Sequence, residues 1–317
     1  MIYHTLMLLS RIVCLLPHSF LLTLGKGMGI LYYRLIKKQR ERAVRQMMDG
    51  LGISEAEARE TVRQSFINLG RNILEILYMP NLNRNNIDQY ISFENREYIE
   101  SAVAEGKGVV IFTAHIGSWE WLSAAFLLTG IPATAIAKKQ PNEQHTRVID
   151  DLRATIGMEV FSRGTSELFA AARALKAGKL LGFLADQDAG PGGAFIDFLG
   201  KTASTPLGPA VFARKFGAPV VPAFILRQPD GRHKVWLGEP MHYEDHGDTD
   251  KDLYDLTVKT TRILERVIRE NPTQWLWFQH RWNTPPEQQH IKHHTVRNCA
   301  EKIIITATKN HEIPPSP

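Results

Sequence analysis

The sequence predicts an α/β fold, a mostly parallel central sheet covered by helices on both faces, preceded by an N-terminal membrane-anchoring helix. Three observations predict it. Apolar runs such as Val109-Val110-Ile111-Phe112 and Leu180-Leu181-Gly182-Phe183-Leu184 read as buried strands. Segments of helical period alternate with them, as a parallel sheet with crossover helices requires. An apolar stretch over residues 12–36 runs into a basic cluster, the pattern of a retained anchor with its basic side in the cytoplasm.

The elements follow in order. Within 12–36, Pro17, His18, Lys26 and Arg34 interrupt the apolar run, which falls short of a clean span of about 18–20 residues. An anchor either crossing the bilayer or lying in its interface is therefore expected over residues 1–45. Arg34, Lys37, Lys38, Arg40, Arg42 and Arg45 stand against Glu41 alone, so anionic phospholipid is an expected partner. Gly25, Gly27 and Gly29 mimic a phosphate loop, but no strand leads into them and no Gly-Lys-Ser/Thr follows; close helix packing or membrane contact is expected. Ser54-Glu55-Ala56-Glu57 is a capping-box signature opening a long helix that Pro80 stops, with Ala58, Val62, Phe66, Leu69, Ile73 and Leu77 as its core stripe.

After a polar linker at 81–86, strands are expected at 109–114, 133–137, 159–161, 180–185, 220–226 and 235–237. Helices are expected from Ser118, over 143–156, over 166–176, from Thr205-Pro206 and over 253–269. A catalytic domain then spans 46–285. A tail over 286–317 follows, partly disordered, in which His290, His293 and His294 read as solvated residues and not as a metal site.

With 317 residues, 44% of them apolar, the chain can bury one large core, or a core plus a small cap. Cys14 and Cys299 lie too far apart in sequence for a disulfide framework or metal spacing, which suits a reducing, cytoplasm-facing domain. The net charge of +5 calls for an anionic partner. The apolar N-terminus turns that choice from nucleic acid towards an acidic membrane or an acidic carrier protein.

The chemistry concentrates where the 109–114 strand ends. His115 stands at its tip and Glu120 follows five positions later, after a turn through Gly117 and a candidate helix cap at Ser118. Imidazole exchanges protons near neutrality, and a carboxylate on its far nitrogen would fix the tautomer and stabilise the imidazolium. A strand-end histidine satisfied by backbone, with Glu120 solvated, is the plainer alternative. No G-x-S-x-G elbow is present, so the hydroxyl to be activated belongs to a substrate. Asp186 and Asp188 close another strand. They suit a floor in which Asp186 pairs with Arg153 or another nearby cation, or a turn in which both accept backbone N–H bonds.

The order of His115-Ile116-Gly117-Ser118-Trp119-Glu120, Ala185-Asp186-Gln187-Asp188, Phe195-Ile196-Asp197-Phe198-Leu199-Gly200 and Thr205-Pro206-Leu207-Gly208 resembles the bacterial lipid A biosynthesis acyltransferases, the late or secondary group. Gln274-Trp275-Leu276-Trp277-Phe278-Gln279-His280-Arg281-Trp282 is similar to that family's closing motif, with departures at Gln279 and Asn283. The resemblance implies His115 and Glu120 as the catalytic H-x4-E pair, Arg153 and Asp186 as further required residues, and Arg163 as another family arginine. It implies no cofactor and no catalytic metal. It also implies acyl-carrier protein, or acyl-CoA in some relatives, as donor and a Kdo-bearing lipid A precursor as acceptor, at the cytoplasmic face of the inner membrane. On chemical grounds, backbone N–H groups near Gly117 or the arginines are the candidate donors to the oxyanion. An apolar groove for the acyl tail would be walled by Trp119, Trp121, Leu122 and Phe126, residues that serve equally well as plain core.

Two alternatives compete. A glycerophospholipid acyltransferase would carry H-x4-D and a separate phosphate motif, for which Ser162-Arg163-Gly164-Thr165 is a poor match. A non-catalytic lipid-binding protein of the same fold would not need His115, Glu120, Arg153 and Asp186 together.

Overall fold

A computed structural model describes residues 2–137, 142–162 and 165–288. Arg163 and the histidines of the tail lie outside the described residues.

Helices α1 (Ile2–Cys14), α2 (His18–Leu35), α3 (Lys37–Leu51) and α4 (Glu55–Tyr78) come first. A short helix α5 (Ile87–Tyr90), strand β1 (Ile91–Glu94) and helix α6 (Arg96–Ala104) follow. The alternating part comprises β2 (Val109–Thr113), α7 (Trp119–Leu128), β3 (Ala133–Ile136), α8 (Glu143–Ala154), β4 (Glu159–Phe161), α9 (Thr165–Lys176) and β5 (Leu180–Leu184). An antiparallel hairpin of β6 (Ala194–Phe198) and β7 (Lys201–Thr205) precedes α10 (Gly208–Phe216), β8 (Val220–Arg227), β9 (His233–Leu237) and α11 (Thr249–Glu270).

The main sheet runs β1-β9-β8-β2-β5-β3-β4. Strands β8, β2, β5, β3 and β4 are parallel; β9 turns antiparallel to β8, and β1 lies parallel to β9. Every residue of β2 is buried, because both faces of the sheet are covered. Alternate residues divide accordingly between two cores. Val110, Phe112, Leu181 and Phe224 face α3, α9, α10 and α11, whereas Ile111, Leu180, Val221 and Ile225 face α1, α2, α6, α7 and α8. Helix α4 contributes to both. The mostly parallel α/β fold read from the sequence is what forms.

The N-terminal expectation needs correcting. The apolar stretch 12–36 is not one helix: it breaks at Pro17, and α2 lies against α4. A Cβ on Gly25 would stand 2.7 Å from Arg71 Cα, and one on Gly29 2.3 Å from the Phe66 carbonyl oxygen. The glycines thus let two backbones touch, as close helix packing requires. Among the described residues no helix is long and apolar enough to cross a membrane, so the spanning anchor is unsupported.

The stripe on α4 also shifts. Ala58, Val62 and Phe66 are buried as expected, but Ile73 is exposed and Asn72 and Glu75 turn inward instead. The capping box at Ser54 and Glu57 is formed, whereas Ser118 makes no cap bond to α7. Strand β1, helices α5 and α6 and the β6–β7 hairpin were not expected, and Thr205 ends a strand instead of opening a helix.

Candidate active site

Strands β2 and β5 are neighbours, with Thr113 paired to Leu184. His115 and Asp186 each lie two residues beyond that pair, so the two strands deliver them side by side at their carboxyl ends. The Ala185 N–H bonds the Thr113 carbonyl at 3.0 Å and carries the register one step further. His115 Nδ1 lies 2.8 Å from Asp186 Oδ1. The His115 backbone N–H donates to Asp186 Oδ2 at 3.0 Å.

Asp186 is wholly buried, while the His115 side chain keeps 16% of its surface exposed. Two more donors close on the carboxylate from the C-terminal segment. Trp275 Nε1 donates at 2.9 Å and Gln279 Nε2 at 3.0 Å, both to Oδ2. Burial alone would push the Asp186 carboxyl up; the His115 charge and these hydrogen bonds hold it far below the usual carboxylate range. Burial likewise pushes the His115 imidazole down, but the charge and hydrogen bond of Asp186 outweigh it and set the ring above its ordinary value, with a smaller contribution from Glu120. A carboxylate only accepts, so Nδ1 carries the proton and Nε2 presents its lone pair outward.

The carboxylate on the far nitrogen is thus Asp186, not Glu120. Both Glu120 oxygens accept from Arg153 instead, from Nε at 2.8 Å and from Nη2 at 2.7 Å, and Asp150 adds a contact to Nη1 at 3.2 Å. The fork of arginine matches a carboxylate bidentately, which explains why this pair forms across α7 and α8. The expected Asp186–Arg153 pair does not form, because the register of β2 and β5 gives Asp186 the imidazole as its partner. Asp188 accepts from the backbone of Gly190 and Thr284 and from the Thr284 hydroxyl, a turn role.

The loop between His115 and α7 is pinned. Gly117 has φ +56°, and a Cβ there would lie 1.8 Å from the Ile225 carbonyl oxygen, so only glycine fits. Its N–H donates to the Gln274 carbonyl and Leu276 N–H donates to the His115 carbonyl, so the C-terminal motif pairs with the loop as an antiparallel bridge at Ile116 and Trp275. Trp119, the first residue of α7, sets its ring edge-on to His115 with centroids 5.2 Å apart.

Beside the dyad opens a cleft between α7 and the sheet face of β2, β5 and β3. Thr113, Leu184, Trp119, Glu120 and Arg153 line the end nearest the imidazole; Phe126, Ala133, Met158 and Leu180 line the far end. Trp119, Leu122 and Phe126 therefore wall the cleft, as the sequence allowed. Trp121 does not: it is fully buried, its Nε1 donating to the Glu75 carbonyl at 2.8 Å.

Residues 2–284 match the model of the bacterial lipid A biosynthesis acyltransferases. The chain belongs to that family. It is an O-acyltransferase of the lipid A acyltransferase type. It is 26% identical over 286 residues to the lipid A biosynthesis lauroyltransferase of Escherichia coli K12, covering 87% of this chain and 89% of the relative. The lipid A biosynthesis palmitoleoyltransferase of the same organism is 22% identical, over 86% and 87% of the two chains. The phosphatidylinositol mannoside acyltransferase of Mycolicibacterium smegmatis is 24% identical over 70% and 72%.

Two residues that sequence reasoning did not assign, Trp275 and Gln279, complete the hydrogen bonding around Asp186. In the sequence Gln279 is a departure from the closing motif that points to the rim of the site; the structure turns it inward onto Asp186.

Proposed function

We propose that this acyltransferase moves a fatty acyl chain from the thioester of acyl-carrier protein to a hydroxyl of a Kdo-containing lipid A precursor, with His115 as general base. The observation that carries it is the His115–Asp186 dyad at 2.8 Å, set at the mouth of an apolar cleft. His115 Nε2 takes the proton of the acceptor hydroxyl as its oxygen bonds to the thioester carbonyl carbon. When the tetrahedral intermediate collapses the C–S bond breaks, and the imidazolium returns that proton to the thiolate, leaving an ester and a free thiol. Asp186 holds the tautomer and offsets the imidazolium charge, the division of labour of a hydrolase triad without its serine.

The first amides of any α-helix lack intrahelical partners. The Gly117 N–H is taken by the Gln274 carbonyl and the Trp121 N–H by the Ser118 carbonyl; helix α7 starts at Trp119 beside the imidazole, so the amides of Trp119 and Glu120 are the donors we assign to the oxyanion. Glu120 adds negative charge near the ring while locked by Arg153, and the pair frames the cleft entrance. Arg163 is assigned to acceptor phosphate, which a guanidinium matches bidentately. No cofactor or metal is assigned to any step.

The acyl tail would lie in the cleft. Leu184 and Leu180 lie on one strand four residues apart, which spans about 13 Å.

Membrane association in the interface is assigned to α1 and α2. Leu15 is 83% exposed and Leu35 71%, with Leu8, Ile12, Phe20 and Leu31 also turned outward, and the exposed Arg34, Lys37 and Lys38 follow them. The net charge of +5 suits both anionic phospholipid and an acidic carrier protein.

The similarity to a mannoside acyltransferase favours one other reading, a glycolipid acceptor other than lipid A. Mass spectrometry of lipid A and of total glycolipids, from cells with and without the gene and with His115→Ala, separates the two. Loss of one acyl group from lipid A supports the proposal. Loss confined to another glycolipid selects the alternative, and full acylation by His115→Ala refutes the assigned base.

A further inference from the structure

Beneath the loop that carries His115 lies a buried polar cluster that the transfer chemistry does not use. Glu75 on α4 is completely buried and accepts both terminal nitrogens of Arg227, each at 2.6 Å. It also contacts His233 Nε2 at 2.9 Å and His18 Nε2 at 3.2 Å. Burial alone would push the Glu75 carboxyl up, but His233 and Arg227 hold it well below its usual range, so it is charged. Such a cluster is expensive to desolvate, and apolar side chains of similar volume would stabilise a core as well or better.

Its contacts point at Gly117. Asn72, 4% exposed, lies one helical turn before Glu75 on the same face of α4. Its Oδ1 accepts from Arg227 Nη2 at 2.7 Å, which fixes the way the carboxamide faces. Its Nδ2 then donates to the Gly117 carbonyl at 2.6 Å. The backbone of Arg227 is tied to the other side of the same glycine. Arg227 N–H donates to Gln274 Oε1 at 2.7 Å, Gln274 Nε2 donates to the Arg227 carbonyl at 3.0 Å, and the Gln274 carbonyl accepts the Gly117 N–H at 3.0 Å. Gly117 is thus held at both its amide and its carbonyl by two arms that meet at Arg227.

We infer that Asn72, oriented by Arg227 and Glu75, is a positioning residue for acyl transfer: by fixing the Gly117 peptide it sets the aim of His115 and the start of α7. The inference rests on His115 being the base. Asn72 touches neither the imidazole nor the cleft, so it acts only through the loop. A loop free to shift by about an ångström would cost up to about 10²-fold in rate without weakening ground-state binding.

The test is single-turnover and steady-state transfer from dodecanoyl-carrier protein to a Kdo-containing lipid A precursor, with melting temperature recorded for each variant. Asn72→Asp keeps the shape and the acceptor for Arg227 but removes the donor to Gly117; Asn72→Ala removes both. Ile99→Ala, a core truncation on α6 remote from the loop, serves as the stability-matched control. Both Asn72 variants should lose about 10–100-fold in kcat with KM for the donor within about twofold, while Ile99→Ala keeps its kcat. Wild-type kcat in both Asn72 variants, a loss seen only in KM, or an equal loss in Ile99→Ala would overturn the inference. His115→Ala, run beside them, separates the two claims. If it retains transfer, the assigned base is wrong; if it is dead while the Asn72 variants are unaffected, only the positioning role falls.

Discussion

Asp186 accepts four hydrogen bonds and is sealed from solvent, while Glu120, five residues from the histidine, faces a guanidinium. Nearness in sequence suggested the wrong partner for the imidazole. A carboxylate on the first turn of α7 is close to the ring yet better matched by the fork of Arg153, whereas a residue 71 positions away is brought into register by strand pairing. Breaking the Glu120–Arg153 pair from either side leaves an uncompensated, largely buried charge, at a cost of about 3 kcal/mol. Glu120→Gln and Arg153→Ala should therefore each lower the melting temperature by several degrees in thermal denaturation. Glu120→Leu combined with Arg153→Met should recover most of that loss without restoring transfer. An unchanged melting temperature in both single variants would show that the pair is not formed in solution.

Among the elements, the cleft is the part whose dimensions would set specificity under the proposed function. Its sheet wall alternates Leu180, Gly182 and Leu184 along β5, opposite Ala133 and Ala135 on β3. A Cβ at Gly182 would meet Ala135 Cβ and the Thr134 carbonyl oxygen at 3.5 Å, ordinary contact, so the fold has room for a Cβ there, and atoms beyond it would enter the cleft that Gly182 lines. Gly182→Val should shift donor preference towards shorter chains, by about tenfold or more for each carbon that no longer fits. Competition between acyl donors of eight to sixteen carbons checks it, and an unchanged chain-length profile would mean the tail lies elsewhere.

Most of these elements were legible in the sequence. The strands at 109–113, 159–161 and 180–184 are short apolar or β-branched runs between turns, and they appear within a residue of where the pattern puts them. What escaped depends on tertiary context. Among the described residues strand β1 pairs only with β9, strand β7 is too polar to show as strand and leaves β6 without a visible partner, and the inward face of α4 shifts to admit Asn72 and Glu75.

At the scale of the whole molecule, charge and apolar exposure are segregated. Among the described residues, most of the exposed large apolar side chains lie on α1, α2 and the turn between them, with lysine and arginine beside them. Flotation with vesicles rich in anionic phospholipid should recover the protein. Binding should weaken as salt rises above about 0.15 M, where screening shortens to about 8 Å. Leu15→Ser with Leu31→Ser should weaken it at every salt concentration, because the apolar contribution is lost. Binding that ignores both changes would place the membrane contact on another surface.

The central claim is that His115, steadied by Asp186, removes the proton of the acceptor hydroxyl. The pH dependence of kcat/KM, measured for wild type and Asp186→Asn, tests it most directly, because the base works only when neutral. Asp186 raises the imidazole, so the wild-type rate should climb with pH through a midpoint above about 6.5. Removing the carboxylate should move that midpoint to lower pH and cut the plateau by about 10³–10⁴-fold. An acid limb at the same pH in both proteins, or a plateau untouched by the substitution, would contradict the account.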